Sequence, residues 1–368
     1  MIDTMTQTSD EMQSAAFPVL TDGQIDRLRR YGVAQEIRAG EIVFRAGDAT
    51  GDLILIDDGT IEIVRPATID SPEESVVEHG AGRFLGEMNM LTNQTLYLTA
   101  RVVADGRIHR ISSAGFRAIM DEDPELSDIM LRAFLARRRL LQDGPAARSI
   151  EIIGSSMSAS TLALRTYAAR QRMPHVWLDA DEPEGQAVMD LVDLEPRDLP
   201  AVLVLDKVLR RATPGEFAEE LGLTYRRADD NPVDVIVIGG GPAGLAAAMY
   251  AASEGLATVL LDSVSVGGQA AASSRIENYL GFPSGISGAD LTTQAAVQAL
   301  KFGVQISSPC QAVSIDANCC QLVVSLSDGA EIATRSIVIA TGAAYRALPL
   351  ERWVDFEGAG IYYAATEI

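Results

Sequence analysis

Along the first 141 residues, apolar and polar positions alternate in short runs. RAGEIVFRAGD, DLILIDDGTIEIVR, VVEHGAGRFLGE and LTARVVADGRIHRI each read as strand, with Gly40, Gly47, Gly59 and Gly106 at the breaks. Period-two alternation punctuated by turn signals predicts an antiparallel barrel or jelly roll. Ahead of it, LTDGQIDRL opens a short helix on Thr21 and Asp22. The spacing then becomes helical in SAGFRAIMDEDPELSDIMLRAFLARRRLL, which predicts two helices parted by Pro124. In the second helix, Arg137, Arg138 and Arg139 are expected on the exposed face, with the leucines turned inward.

DGPAARS (143–149) reads as a linker. Strand and helix then alternate through SIEIIGSS, TLALRTYAARQRM, HVWLDAD, GQAVMDLV, LPAVLVLD and GEFAEELGL, which predicts a small α/β unit. After RRADDNP comes the continuous apolar run Val233 to Ile238, suited to a strand buried on both faces. Gly239-x-Gly241-x-x-Gly244 follows it directly and opens a helix, with Pro242 and Ala243 inside the motif. The first glycine suits a tight turn and the second lets a pyrophosphate approach the backbone at the positive helix end. The third allows close strand–helix packing. ATVLLD ends in Asp262, where an acid accepts from a ribose hydroxyl. With strand, helix and acid all in place, the segment predicts a dinucleotide site; these residues alone leave FAD and NAD both open. QISSPCQAVSIDANCCQLVVSLSDGAEIATR then predicts two or three strands with a DG turn.

Composition narrows the classes. Asp and Glu number 51 against 30 Lys and Arg, a net charge of −21, which disfavours nucleic acid and anionic membrane surfaces. No apolar run approaches the ~20 residues needed to cross a bilayer. The first 16 residues are polar, unlike a secretory signal, and are expected to be a disordered tail. Cys310, Cys319 and Cys320 form no CxxC, and with His79, His109 and His175 scattered there is no metal-ligand pattern. Unpaired thiols of this kind suit the reducing cytoplasm.

Three resemblances add to this reading. AGEIVFRAGD (39–48), DDGTIEIV (57–64) and FLGEMNML (84–91) resemble the cyclic-nucleotide-binding domain family. There, the last motif opens a cassette for ribose and cyclic phosphate, which places Gly86 and Glu87 at ligand positions. The family's phosphate-neutralising Arg aligns with Leu98, and Arg101 is the nearest candidate to reach in. No helix-turn-helix follows. The unit from Ile150 resembles the thioredoxin/glutaredoxin fold. Its redox position reads SSMSAST (155–161) without cysteine, so dithiol chemistry is excluded there, and Leu199-Pro200 matches a proline that is usually cis.

GGGPAGLAAA together with VGGQAAASSRIENYLGFP resembles the thioredoxin reductase family of flavoprotein disulfide reductases. That resemblance implies FAD, contacted by Gly267, Gly268, Gln269 and Asn278, the last flanked by Glu277 and Tyr279. It also puts Ala340, Thr341 and Gly342 of ATG beside the cofactor. GIYYAATE (360–367) lines up with the start of the family's CxxC segment, and Ala364 and Glu367 stand at the two cysteine positions. Flavin-to-disulfide transfer at that place is therefore excluded.

The resemblance covers 233–368, roughly half of such a reductase, so the chain reads as a fragment with an incomplete FAD domain. NAD(P)H is then expected only with a further downstream domain. The expected architecture is multidomain α+β and α/β. It comprises a tail (1–16), a jelly roll with C-terminal helices (17–143), a thioredoxin-like unit (149–228) and a Rossmann-type FAD-binding domain (233–368). The expected function is an FAD-dependent, NAD(P)H-linked oxidoreductase without catalytic cysteines, with a protein electron acceptor and a homodimeric state. The alternative is a sensor or scaffold with a degenerate flavin half.

Overall fold

The computed structural model describes residues 11–48, 51–92, 94–224, 233–318 and 321–343, with positions 346, 348–351, 353 and 361. The chain divides into two compact units: Met1–Gly154 with Arg172–Arg211, and Ser155–Gln171 with Ala212–Ile368. The stretch expected as one thioredoxin-like unit is shared between them. Among the described residues, no helix is long and apolar enough to cross a membrane.

The first unit opens on a helix, Asp22–Arg29, whose Thr21 and Gln24 form a reciprocal capping box. Six strands follow: β1 (Val33–Ile37), β2 (Ile42–Phe44), β3 (Leu53–Arg65), β4 (Glu74–His79), β5 (Phe84–Leu85) and β6 (Thr99–Ile111). They pair antiparallel in the order β1-β6-β3-β4, with β2 on β6 and β5 on β3. Inward positions of β3 and β6, including Ile54, Ile56, Ile61, Val102 and Ile108, make the core.

Gly59 and Gly106 do not break strands as expected. β3 and β6 run through them as two thirteen-residue strands, and their pairing register shifts between Asp58 and Thr60. A Cβ on Gly106 would overlap the carbonyl of Asp58, and one on Gly59 would lie 2.8 Å from the Ala104 oxygen. These glycines answer to close backbone approach at a bulge rather than to a turn.

The helix Ser113–Glu122 is followed at once by Pro124–Asp143, with Asp123 as N-cap and Pro124 in the first turn. Here the exposed-face expectation fails for two arginines. Arg137 and Arg138 are 7% and 6% exposed, and only Arg139 of the three is exposed. Arg137 donates to the carbonyls of Ala16 (2.8 Å), Gly86 (2.5 Å) and Phe84 (2.9 Å), and its guanidinium lies over the Phe84 ring. Carbonyls and an aromatic face replace water around the charge. The expected linker is also ordered: 145–149 form a 3₁₀ turn with Ala146 and Ala147 buried.

Four further strands close this unit: β7 (Ile150–Gly154), β8 (Val176–Asp179), β9 (Ala201–Val204) and β10 (Lys207–Leu209), in the order β10-β9-β7-β8. β7 and β8 are parallel, while β9 is antiparallel to β7 and β10. The helix Pro183–Leu191 packs Val188 and Met189 against Leu178 and Leu203. The Leu199–Pro200 peptide is cis.

In the second unit, the helices Ala159–Arg170 and Pro214–Glu220 meet through Tyr167 and Phe217, whose rings are 5.9 Å apart. The Tyr167 hydroxyl donates to the Ser308 carbonyl (3.1 Å), anchoring this pair to the remaining sheet. That sheet comprises β11 (Val233–Ile238), β12 (Thr258–Leu261), β13 (Gln305–Ser307), β14 (Ala312–Asn318), β15 (Gln321–Leu326) and β16 (Glu331–Ile339). Its order is β13-β12-β11-β16-β15-β14, with parallel pairing from β13 to β16 and an antiparallel meander from β14 to β16. Helices Pro242–Ser253 and Gly288–Lys301 cover one face through Leu245, Ala248, Ala296 and Ala299. Cys319 and Cys320 lie outside the described residues.

Glu151 on β7 is 2% exposed and its carboxyl is pushed up to about 7, chiefly by burial and then by Asp70, with Arg148 and Arg65 partly offsetting. The unfolded carboxyl titrates near ~4.3, so the native state binds the extra proton between those values and loses stability as pH rises through them. Replacing Glu151 with Gln is expected to raise stability by about 2–3 kcal/mol at about pH 8 and to change little at about pH 5. Urea unfolding of both proteins at the two pH values checks this.

Candidate dinucleotide site

The parallel β11 ends where the chain must turn sharply into the helix Pro242–Ser253. Gly239 makes that turn at φ +109°, and a Cβ there would overlap the Ala340 carbonyl and stand 3.0 Å from the Thr341 nitrogen. The glycine loop is therefore pressed against the ATG segment that follows β16, and Ala340 N–H donates to Ile238 O (2.8 Å). Gly244 is equally obligatory, because a Cβ would overlap the Gly239 carbonyl. Gly241 differs: nothing of the chain lies within 4 Å of where its Cβ would be.

Gly241 is the N-cap of this helix, Pro242 is its first residue, and no side chain caps it. The helices starting at Asp22, Ser113, Pro124, Ala159, Pro214 and Gly288 all receive a side-chain cap, and the helix Pro183–Leu191 does not. Free N–H groups, a positive helix end and a clear approach at Gly241 together fit an incoming diphosphate.

The second glycine pair folds back onto the first. Gly267 (φ +109°) donates to the Gly240 carbonyl (2.8 Å), and a Cβ on Gly268 (φ +55°) would stand 3.0 Å from the Gly241 α-carbon. Gln269 then reaches the other way and donates to the carbonyl of Ala343, just beyond Gly342, at 2.9 Å. Five of the expected segments thus converge: the glycine loop, Ala243 at the helix start, the GGQ turn, Asp262 and ATG.

Asp262 sits at the end of β12 as expected, yet its carboxylate already serves the chain. It accepts from Gly240 N–H (2.7 Å) and Val264 N–H (2.9 Å), which ties the glycine loop to the strand end. A carboxylate has about four acceptor positions, so capacity remains for a hydroxyl. Gly240, which the sequence reading passed over, is part of this brace. Asn278 is placed differently: it is exposed on the loop between the paired Ile276 and Ile286, and no contact brings it to the glycine turns.

In the jelly roll, Gly86, Glu87 and Leu98 line one cavity of about 440 Å³. Glu87 faces Arg138 at 3.4 Å. Arg101 does not reach in: its guanidinium is held by Glu62 (2.8 Å) and Glu73 (2.9 Å), because the strand's alternation turns it away from the cavity. His79, Arg83 and Arg137, which the sequence did not single out as site residues, also line it.

Comparison with known proteins finds matches over both regions. Residues 233–364 match the pyridine nucleotide-disulphide oxidoreductase family. Residues 34–123 match the cyclic nucleotide-binding domain. A thioredoxin reductase of Treponema pallidum is 36% identical over 133 residues, covering 36% of this chain and 43% of that protein. One from Aquifex aeolicus is 33% identical over 143 residues, covering 39% and 44%. The crystal structure of Lactococcus lactis thioredoxin reductase shares 35% identity, with a TM-score of 0.32, over 34% of this chain and 41% of that one. The chain thus spans less than half the length of the thioredoxin reductases it matches.

Within the oxidoreductase domain, two glycines separate folding from binding. Gly241→Ala is expected to change stability by less than about 1 kcal/mol and to weaken FAD at least tenfold, about 1.4 kcal/mol. Gly244→Ala is expected to lower stability by more than about 2 kcal/mol, since strand and helix must separate. Melting curves beside FAD titrations of both variants distinguish the two effects.

Proposed function

We propose that this chain carries the flavin half of an FAD-dependent, NAD(P)H-linked oxidoreductase whose electrons leave by a route other than a cysteine pair at positions 364 and 367. The uncapped helix start at Gly241, roofed by Gly268, is the observation that supports it most. FAD bound there supplies hydride uptake and onward electron transfer. The chain's own part is positional. Amides at the start of the helix receive the diphosphate and Asp262 accepts from the ribose. The GGQ turn and the ATG segment, tied by Gln269, hold the two sides of the cradle at a fixed separation. Ala364 and Glu367 lie outside the described residues, and neither side chain can form a disulfide.

In this reading, residues 34–123 regulate rather than catalyse, and 149–228 serve as a thioredoxin-like module without a dithiol. The strand order β10-β9-β7-β8 and the cis Leu199–Pro200 peptide support that module. A protein acceptor, a homodimer, a cytoplasmic location and a nicotinamide site supplied by further sequence belong to the same proposal.

Purified protein is expected to be yellow and to release FAD on heat denaturation. After photoreduction it should be reoxidised by ferricyanide yet fail to reduce a protein disulfide. Folded but colourless protein would favour the sensor reading instead, and stoichiometric disulfide reduction would overturn the proposed electron route.

A further inference from the structure

The jelly-roll cavity has an unbalanced charge. Its two acids are matched: Glu87 by Arg138 at 3.4 Å and Asp52 by Arg110 at 3.4 Å. The two arginines of its lining, Arg83 and Arg137, have no carboxylate within ion-pairing distance among the described residues. Arg83 donates to the Phe17 carbonyl (3.0 Å), and Arg137 donates only to carbonyls. This occurs in a chain where acids outnumber Lys and Arg by 51 to 30. Unmatched cations in such a chain are costly, more so when one is 93% buried, unless something anionic visits them.

His79 shares the neighbourhood of Phe17 with both arginines; it is 2% exposed, and its Nδ1 has no hydrogen-bond partner among the described residues. Burial, then Arg137 and Arg83, hold its ring neutral by pushing its pKa down to about 3. Burial lowers the pKa of Arg137 to about 9, with Glu87 partly offsetting this and Arg83 adding to it. A guanidinium has five N–H donors, so Arg137 keeps two beyond its three carbonyl bonds.

Much of the remaining lining is apolar. Ile63, Val76, Val77, Leu85 and Leu98 face the cavity, and Leu98 packs against the jelly-roll core. A cyclic phosphate lying against the cassette would meet Leu98 where it needs a cation. The positive charge sits instead at the end formed by Arg83, His79 and Arg137. The volume of about 440 Å³ falls in the ~300–1,000 Å³ range of small-molecule pockets.

We propose that this cavity binds a small hydrophobic carboxylate, its head group at Arg83, His79 and Arg137 and its apolar body along Ile63, Val76 and Leu98. Phe17 closes the same end, since its carbonyl is held by Arg83 and its ring lies 5.1 Å from that of His79. Occupancy is therefore expected to stiffen the 11–17 segment.

Calorimetric titration of the full chain with decanoate, 1-decanol and cyclic AMP tests this. Decanoate is expected to bind at least tenfold tighter than 1-decanol, and cyclic AMP more weakly than either. Arg83→Met should erase the preference for decanoate over 1-decanol while leaving 1-decanol binding unchanged. Leu98→Trp, which fills the cavity from the apolar side, should abolish both. Equal affinity for the acid and the alcohol, undiminished decanoate binding by the Leu98→Trp protein, or tighter binding of cyclic AMP would each overturn the proposal.

Discussion

The contact between Gly239 and the carbonyl of Ala340 constrains the whole of the second unit. Two parallel strands, β11 and β16, end side by side, and their onward chains must diverge without a side chain between them. Any Cβ at Gly239 would prise the glycine loop off the ATG segment. Gly244 imposes the same condition between strand and helix. With both satisfied, the helix start is fixed close to the strand ends, and its free amides project beside the two loops that carry Asp262 and Gly268. The dinucleotide cradle is thus a consequence of backbone clearance, and its polar contacts are added afterwards.

The first unit is organised by a charge rather than a clearance. Arg137 ties three separate carbonyls, at positions 16, 84 and 86, into one place. Those positions belong to the chain entry, to β5 and to the cassette. A lysine could not do this, because a point charge lacks the planar fork that addresses several acceptors at once. The cost of burying a guanidinium without a carboxylate is met in part by the faces of Phe84 and Phe17, at 4.6 and 5.5 Å. The same feature that welds the cassette to the helix leaves a positive end in the cavity beside it.

How much of this could be read from the sequence follows from distance along the chain. The glycine loop was legible because its steric partners are local or lie in recognisable motifs: Gly239 with Gly244, GGQ and ATG. The jelly roll was legible through alternation, whereas Arg101, expected to reach in, is held outside the cavity by Glu62 and Glu73. Arg137 was not, because its partners are backbone carbonyls up to 121 residues away, and a carbonyl has no residue type. Gly59 and Gly106 were misplaced for a related reason. A glycine that admits a neighbouring backbone looks, in sequence, the same as one that makes a turn. β10 was missed because three residues beginning with Lys207 carry no usable periodicity. Asn278 was expected at the site from motif likeness, and it is exposed on the loop between Ile276 and Ile286.

Three departures from the resembled families share one form. By those resemblances, Leu98 stands where a phosphate-neutralising cation is expected, SSMSAST where a dithiol is expected, and Ala364 and Glu367 where a redox pair is expected. In the first of these regions the cassette residues Gly86 and Glu87 line the same cavity as Leu98, and the cis Leu199–Pro200 peptide is present in the chain that carries SSMSAST. Backbone geometry depends on clearances and on φ, which few residues satisfy, whereas a reactive side chain can be exchanged with little effect on the fold. A chain can therefore keep every scaffold it resembles and change what each one binds or transfers. For the jelly roll, the exchanged group carries the argument furthest. With Leu98, Ile63 and Val76 in its lining the cavity is apolar in part, while Arg83 and Arg137 keep another part positive. The result is a cavity with two parts of different character, which selects for a molecule with the same division.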